Sequence, residues 1–444
     1  MEILTYKFSD QKYLYTQLYE NIKRDILSGK LKHKEKLPSK RKLSTHLNLS
    51  GTTIEIAYQQ LLDEGYIYSV PKVGFFVEDI QTINIAPESK ADIPDHHHKQ
   101  RQLSLKIEDS HIKSFPFHKF RKYARDAFEQ DQYHLLERGD VQGEEILRNE
   151  IRRYLYHSRG VNCENYQIII GSSTEQLFTL LTKILGNSSY ILENPGYPLI
   201  RKVLQSEHKH YQYIDVDEEG LIASSLPEDV EIVHVTPSHQ FPTGVLLSAK
   251  RRTELINWSK QKQNRYIIED DYDSEFRYKG RPLAALQGMS NERVIYMSTF
   301  SKSIFPSIRC AYLVLPDKLL ELYKSMSKPN NTVPRHIQYM IAAFMKDGEF
   351  ERNINRMRKE YKKKLELVLQ SVKETFKQSN ITGSDAGMHF VLETTEVINK
   401  DSIAINTIDD YYSGEKTSYK NQYIIGFGSI EDDEISSVIK RLKK

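Results

Sequence analysis

Ser298-Thr299-Phe300-Ser301-Lys302-Ser303-Ile304-Phe305-Pro306-Ser307-Ile308-Arg309 sets one lysine between two apolar runs, Val294-Ile295-Tyr296-Met297 and Ala311-Tyr312-Leu313-Val314-Leu315. Both runs read as buried strands, so Lys302 sits in a loop at the edge of a sheet. A lysine held there loses solvent, its pKa falls, and the amine becomes a usable nucleophile toward an aldehyde. Arg309, seven positions on, offers a fixed fork for a phosphate. Taken alone the stretch also fits an ordinary solvated loop, so its meaning depends on what the rest of the chain brings beside it.

Working outward, short apolar runs alternate with helical patterns from Tyr166 onward. The expected strands are Gln167 to Ile170, Tyr190 to Leu192, Glu231 to Val235, Tyr266 to Ile268, Val294 to Met297 and Ala311 to Leu315, with helices such as Glu175 to Leu185 and Ala249 to Lys260 between some of them. This alternation predicts a largely parallel α/β sheet, whose ligands bind outside the carboxyl ends of its strands. Upstream, Lys119 to Phe128 and Gly143 to Tyr156 read as helices, the second with Ile146, Leu147, Ile151 and Leu155 on one face. Downstream, one long helical stretch from Arg335 to about Phe376 joins the body to a smaller C-terminal α+β unit ending in a helix, Asp432 to Leu442.

The N-terminal part has a different pattern. Tyr15 to Ser28 has helical period with Gly29 as its stop, and a lysine-rich loop leads to Leu37-Pro38-Ser39-Lys40-Arg41-Lys42. Ser39 can cap a helix from Lys40 to Leu47, and Asn48-Leu49-Ser50-Gly51-Thr52-Thr53 turns into a third helix ending near Glu64. This is a helix-turn-helix, and Tyr66 to Val77 adds a two-stranded wing. Residues 1–79 are therefore expected to bind double-stranded DNA, with Ser39, Lys40, Arg41, Ser50, Thr52, Thr53, Lys72 and Gly74 as the candidate contacts. Residues 80–112 read as a polar linker, and residues 113–444 as the main body, with a small subdomain over about 335–444.

With 444 residues, 39% hydrophobic and 28% charged, the chain has material for two or three globular domains and lacks the uninterrupted apolar stretch of a membrane helix. The first residues do not resemble a signal peptide, so the expected location is cytoplasmic. Cys163 and Cys310 cannot build a disulfide framework, and the tract His96-His97-His98 reads as linker, so no metal is expected. A net charge of +3 is too small to imply nucleic-acid binding by itself, so any basic footprint must be local.

At the expected strand ends the residue types converge on one chemistry. Gly171-Ser172-Ser173-Thr174 opens a helix, whose N-terminal N–H groups and dipole suit a phosphate. Glu269-Asp270-Asp271-Tyr272-Asp273 follows another strand and is costly to bury without a cationic partner, which a pyridinium nitrogen can supply. Tyr197 follows a third and can cover the flat face of a heterocycle. An amine, a phosphate cradle, a carboxylate for a ring nitrogen and a ring cover are the needs of pyridoxal 5'-phosphate.

The string from Leu37 to Val77 resembles the winged helix-turn-helix of GntR-type bacterial regulators. The shared features are Leu37-Pro38-Ser39, Arg41, Leu43, Leu47, Ser50, Ala57-Tyr58, Leu61, Glu64-Gly65-Tyr66-Ile67, Gly74 and Val77. Gly51 departs from it, since many members carry a DNA-directed arginine there. From about Phe115 to Leu442 the motif order resembles the fold-type I aminotransferases, through Thr236-Pro237-Ser238-His239-Gln240-Phe241-Pro242-Thr243-Gly244, Ile268 to Phe276, and Thr299-Phe300-Ser301-Lys302 with Arg309. The whole resembles the MocR-type subfamily of GntR regulators, in which a winged helix is fused to an aminotransferase-like domain. That resemblance implies that Lys302 forms the internal aldimine, Asp270 pairs with the pyridine nitrogen and Tyr272 hydrogen-bonds the ring hydroxyl. It also implies that Tyr197 stacks on the ring, that Ser173, Thr174, Thr299 and Arg309 hold the phosphate, and that the protein is a homodimer.

Departures weaken the enzyme reading. Arg138-Gly139-Asp140-Val141-Gln142-Gly143 lacks the family's tyrosine, Phe241 stands where aminotransferases carry an asparagine, and Ile424 stands where they clamp the substrate carboxylate with an arginine. The expectation is a regulator that senses pyridoxal phosphate, or a small amine or amino acid, by imine chemistry at Lys302, with at most a weak transaminase half-reaction. The alternatives are an active aminotransferase with an accessory DNA-binding domain, and a body reduced to a dimerisation scaffold.

Overall fold

The computed structural model describes residues 4–9, 13–80, 104–107, 115–129, 133–280, 283–326, 331–400, 403–414 and 421–444. The chain divides into two units, residues 1–99 and 100–444. The tract His96-His97-His98 and most of the expected linker lie outside the described residues.

In the first unit, α1 (Leu14–Leu27), α2 (Lys40–Leu47) and α3 (Gly51–Asp63) precede a hairpin of β1 (Ile67–Val70) and β2 (Gly74–Val77). Ser39 caps α2 by accepting from the Lys42 N–H, and Ser50 caps α3 by accepting from the Thr53 N–H. Caps of this kind contribute about 1 kcal/mol each. Asn48, at φ 54°, takes the left-handed conformation that stops α2 and turns the chain into α3. Leu18, Ile22, Leu43, Ile54, Ala57 and Leu61 are sealed between the helices and the wing residues Ile67 and Val77. The buried Tyr58 hydroxyl donates to the Pro38 carbonyl at 2.9 Å, tying the third helix to the loop before the second.

The second unit opens with α4 (Phe117–Glu129) and α5 (Glu145–Arg159) and then follows β3 (Ile168–Gly171), α6 (Thr174–Ile184), β4 (Tyr190–Asn194), α7 (Pro198–Ser206), β5 (Tyr211–Asp217) and β6 (Gly220–Leu221). It continues through β7 (Ile232–Val235), α8 (Ala249–Lys260), β8 (Tyr266–Asp271), β9 (Val294–Thr299), β10 (Ala311–Val314) and α9 (Asp317–Ser325). These strands form an eight-stranded sheet in the order β3-β10-β9-β8-β7-β4-β5-β6. The pairs β4–β5, β4–β7, β7–β8 and β8–β9 are parallel, and β10 runs antiparallel to both β9 and β3. Strand alternation sends Ile168, Ile170, Tyr312 and Val314 into a core beneath α4 and α5, and Ile169, Ala311 and Leu313 into the core on the opposite face. All the forward strands, β3 included, end on one edge, so the loops after β3, β4, β7, β8 and β9 meet there.

α10 (Arg335–Lys346) packs into the main core with α4 and α5, and the small subdomain is built from α11 (Glu349–Thr375), an antiparallel sheet of β11 (Ser379–Thr382), β12 (His389–Thr394), β13 (Asn406–Thr407) and β14 (Gln422–Gly426), and α12 (Ile435–Leu442). The single helical stretch expected from Arg335 to Phe376 is two helices, broken at Gly348, whose φ of 70° no helix accommodates. The apolar face expected of α5 is also rotated: Ile146 is exposed, and Tyr154 joins Leu147, Ile151 and Leu155 in the core. Ser104–Ile107, within the expected linker, is stitched to this subdomain. Leu105 is fully buried, its N–H donates to the Ala404 carbonyl at 2.9 Å, and its carbonyl accepts from the Gly426 N–H at 2.7 Å. A Cβ at Gly426 would lie 2.7–2.8 Å from the Leu105 and Lys106 carbonyl oxygens, so only glycine lets the segment lie so close. No described helix is long and apolar enough to cross a membrane.

Candidate functional site

Where the forward strands end, a cavity of about 560 Å³ opens. Every residue expected at the cofactor lines it: Ser173 and Thr174 from the start of α6, Tyr197 after β4, Asp270 and Tyr272 at the end of β8, and Thr299, Lys302 and Arg309 between β9 and β10. The sheet brings them together because parallel strands deliver successive loops to the same edge.

Strand alternation sorts the acidic run of β8. Glu269 turns toward the backbone and accepts from the Leu286 and Gln287 N–H groups, both at 3.0 Å. Burial pushes its carboxyl up to about 7, helped by the neighbouring Asp271, against the opposing pull of Arg159. Asp271 pairs with Arg159 at 2.8 Å and accepts from the Tyr296 hydroxyl at 2.6 Å. Asp273 meets His239 at 2.8 Å. Asp270 is left facing the cavity: it is buried, its Oδ2 lies 3.4 Å from His234 Nε2, and its Oδ1 has no hydrogen-bond partner among the described residues.

Lys302 is half-buried, and its Nζ donates to the Ile107 carbonyl at 3.2 Å, a contact spanning 195 residues of sequence. Thr299 Oγ1 donates to Ser301 Oγ at 3.0 Å and accepts from the Ser301 N–H at 3.1 Å, which shapes the turn before Lys302. Arg309 holds a left-handed backbone, φ 47°, just before β10 begins, and its exposed side chain reaches the cavity. Ser173 caps α6 through its hydroxyl, which accepts from the Gln176 N–H at 3.2 Å. The Tyr272 hydroxyl donates to the His239 carbonyl at 2.9 Å; burial, then the charges of Asp273 and Asp270, push its pKa well above the ordinary value, so the phenol keeps its proton.

Ile107, Lys202, Thr236, Phe241, Ser301 and Tyr411 also line the cavity, and the residue reading assigned none of them a place there. Phe241 packs edge-on against Tyr197 and Tyr411, with ring centroids 5.1 and 5.0 Å apart. The aromatic wall is readable in part from the sequence, because Phe241 stands where aminotransferases carry an asparagine. Ile424 is buried in β14, packed with Val391 and Ile408. Among the described lining residues the cations are Lys202, Lys302 and Arg309.

In the first unit, Arg41, Thr52 and Lys72 are exposed, with Lys72 at the tip of the wing in a left-handed conformation, φ 61°. Ser39, Ser50 and Thr53 are engaged in capping, and Ser50 Oγ and Thr53 Oγ1 lie 2.7 Å apart. Lys40 forms an ion pair with Glu55 at 2.8 Å, fifteen residues further along the chain on α3. Gly74 packs against Lys36, where a Cβ would approach its Cε to 3.1 Å.

A winged helix-turn-helix in one unit and an aminotransferase fold in the other define a helix-turn-helix regulator built on an enzyme's framework. The gntR family of bacterial regulatory proteins matches residues 14–77, and the aminotransferase class I and II family matches residues 107–411. The HTH-type transcriptional regulator YdeL of Bacillus subtilis is 37% identical over 97% of this chain and 96% of its own length. The HTH-type pyridoxine biosynthesis transcriptional regulator PdxR of Corynebacterium glutamicum is 29% identical over 96% of this chain and 94% of its own. The kynurenine aminotransferase of Pyrococcus horikoshii, solved with PMP, superposes with a TM-score of 0.68 at 23% identity, covering 78% of this chain and 90% of that one. The chain belongs to the MocR/PdxR-type family of HTH-type transcription regulators with an aminotransferase-like domain.

Proposed function

We propose that this regulator senses pyridoxal 5'-phosphate, alone or together with a small amine or amino acid, through imine chemistry at Lys302, and transmits occupancy to a winged helix bound to operator DNA. The observation that carries the reading is that one cavity holds both Lys302 and a buried Asp270 carboxylate that, among the described residues, has no arginine or lysine partner and leaves Oδ1 without a donor. A buried carboxylate oxygen without a donor is costly, and a protonated ring nitrogen is a donor that would satisfy it. The rest of the lining fits the same group. Arg309 and the α6 terminus with Ser173, Thr174 and Thr299 suit a phosphate, and Tyr197 and Phe241 suit a flat ring.

When bound, the cofactor would supply an aldehyde that condenses with the Lys302 amine, releasing water, so that the lysine is a covalent anchor. The chain's own residues do the selecting. Lys302 Nζ exchanges its hydrogen bond to the Ile107 carbonyl for the new bond, Asp270 holds a cationic nitrogen, and the aromatic wall excludes water. Among the described lining residues Arg309 is the one arginine, so none is left beside it to orient an amino-acid carboxylate, which favours sensing over turnover. Mixing the full chain with pyridoxal 5'-phosphate should give a visible absorption band that Lys302→Ala abolishes, and the absence of a band in the wild type would sink the cofactor reading. Single-turnover conversion of the bound cofactor by a panel of amino acids would favour the transaminase alternative instead.

For DNA, the exposed Arg41, Thr52 and Lys72 are the contacts we assign first, with a homodimer presenting two wings to spaced half-sites. Binding should weaken steeply as salt rises, and Lys72→Ala should lower the slope of log K against log salt by about 1.

A further inference from the structure

We propose that α3 selects its DNA sequence through two residues outside the expected contact set: Glu55, which accepts from the N4 amino group of a cytosine, and Ile56, which packs on the methyl group of a neighbouring thymine. The inference rests on the DNA-binding reading of the first unit and is independent of the cofactor.

α3 is the second helix of the helix-turn-helix, the one that such domains lay in the major groove. Its helical period buries Ile54, Ala57, Tyr58 and Leu61 in the core of the first unit. The opposite side is one exposed stripe of Gly51, Thr52, Glu55, Ile56 and Gln59. No lysine or arginine occurs anywhere in α3, and Gly51 leaves open a position where a Cβ would meet nothing within 4 Å. An arginine or lysine reading guanine, the commonest base contact, is therefore not available from this helix. Thr52 carries a hydroxyl that both donates and accepts, so it separates bases poorly. Gln59 is turned away, its Nε2 donating to Asp63 Oδ1 at 2.8 Å. The discriminating chemistry falls to Glu55 and Ile56.

Glu55 is held in place from outside the helix. Lys40 Nζ, at the start of α2, donates to Glu55 Oε1 at 2.8 Å, and the same ammonium lies 5.6 Å from the centre of the Phe75 ring in the wing. Phe75 in turn packs edge-on against Tyr58 of α3, with ring centroids 5.1 Å apart. The lysine is thus fixed between wing and helix, and it keeps the carboxyl below its usual range and ionised. An exposed ion pair of this kind adds little to stability. Its effect on sequence is larger. An ionised carboxylate only accepts, and the major-groove donors are cytosine N4 and adenine N6. Adenine sets its N7 acceptor beside N6, whereas guanine and thymine face the carboxylate with acceptors alone, so cytosine is the matching base. Because the charge is repelled by the other edges and by the phosphates, Glu55 acts largely by penalising wrong sequences. Ile56, 42% exposed and without a polar side-chain atom, matches the thymine methyl, the apolar group of the major-groove edge.

The test uses the full chain, with and without pyridoxal 5'-phosphate, to select from randomised double-stranded oligonucleotides. The selected duplexes should carry a fixed cytosine with a thymine beside it. The readout is the ratio of affinities for the selected duplex and for one with that C·G pair changed to T·A. Wild type should discriminate by about tenfold or more, the scale of one hydrogen bond to a charged group. Glu55→Ala should abolish the discrimination and also bind the T·A duplex more tightly than wild type does, a gain that damage to the fold cannot produce. Lys40→Met, which releases the carboxylate, should lose part of the ratio; an unmoved ratio removes the lysine from the inference. Deoxyuridine in place of the thymine should weaken wild type by about fourfold, the scale of one methyl group, and leave Ile56→Ala unaffected. A cytosine preference that survives Glu55→Ala overturns the assignment of Glu55, and equal sensitivity to deoxyuridine in wild type and Ile56→Ala overturns that of Ile56. Enriched duplexes without a fixed cytosine keep the DNA-binding reading and sink this inference, whereas no enrichment under either condition sinks both.

Discussion

Asp270 and Asp271 are consecutive aspartates and both buried, yet they belong to two different regions of the molecule. Asp271 faces a closed interior, where Arg159 holds its charge and Tyr296 donates to the same oxygen. Asp270 faces the cavity, and among the described residues the basic side chain at ion-pair distance from it is His234, at 3.4 Å. Among the described residues neither Oδ1 finds a hydrogen-bond partner, so the contrast lies in the cation: Asp271 has one within the fold, and Asp270 lines a space where one could bind. Period-two alternation along β8 places the two on opposite faces, and each face then decides which carboxylate is structural and which is left for a ligand.

Removing the cation from the closed side should have the largest effect. Arg159 also donates to the Leu283 carbonyl and to Ser238 Oγ, both at 2.6 Å, so Arg159→Leu strands Asp271 and frees two further acceptors. A loss of about 3–5 kcal/mol in unfolding free energy is expected, measured by chemical denaturation. The double variant Arg159→Leu/Asp271→Asn should be less damaged than Arg159→Leu, because no bare charge is left behind. If the double variant is the worse of the two, the ion pair is not what the arginine contributes.

On the open side the same kind of change should behave differently. Asp270→Asn removes a carboxylate that pairs with no lysine or arginine among the described residues, so stability should hold or rise slightly. Affinity for pyridoxal 5'-phosphate, read from the absorption band, should fall by about tenfold to a hundredfold, the scale of one hydrogen bond between charged groups. A strongly destabilised Asp270→Asn with normal cofactor affinity would erase the distinction between the two carboxylates.

How much of this could be read from residues alone follows the same division. β3, β4, β7, β8, β9 and β10 were legible because each is a short apolar run, buried on both faces. β5 was not, because Gln212, Asp215 and Asp217 make it a half-solvated strand near the sheet edge without a continuous apolar signal. The break at Gly348 was hidden because the apolar period continues on either side of it, through Phe344 and Phe350. Within the site, residues carried by contiguous motifs were legible, as with Asp270 and Tyr272 or Thr299 and Lys302. Ile107 and Tyr411 were not: they reach the cavity from remote parts of the chain, and an isoleucine that contributes a backbone carbonyl leaves no mark in the residue pattern. His239 lay within a quoted motif, but its link to Asp273 exists only in three dimensions.

The smallest effect we expect concerns a third buried acid, Glu193 at the end of β4. Its Oε2 accepts from the Thr236 hydroxyl at 2.6 Å and the Thr236 N–H at 3.2 Å, with Gln240 Nε2 at 3.4 Å. Burial pushes its carboxyl up to about 7, and those donors and the nearby His234 only partly oppose the rise. A folded-state pKa above the unfolded value means that the folded protein binds more protons between the two, so this group's contribution to stability falls as pH rises from about 4.5 to about 7. Glu193→Gln keeps an acceptor oxygen and removes the titration. Its unfolding free energy should therefore decline less than that of the wild type between pH 5 and pH 8, with the two proteins closest at the acid end. Glu193 has hydroxyl and amide donors but, like Asp270, lacks an arginine, so a parallel pH dependence in wild type and variant would mean that hydrogen bonds alone can hold a buried charge in this fold and that the guanidinium beside Asp271 is not essential.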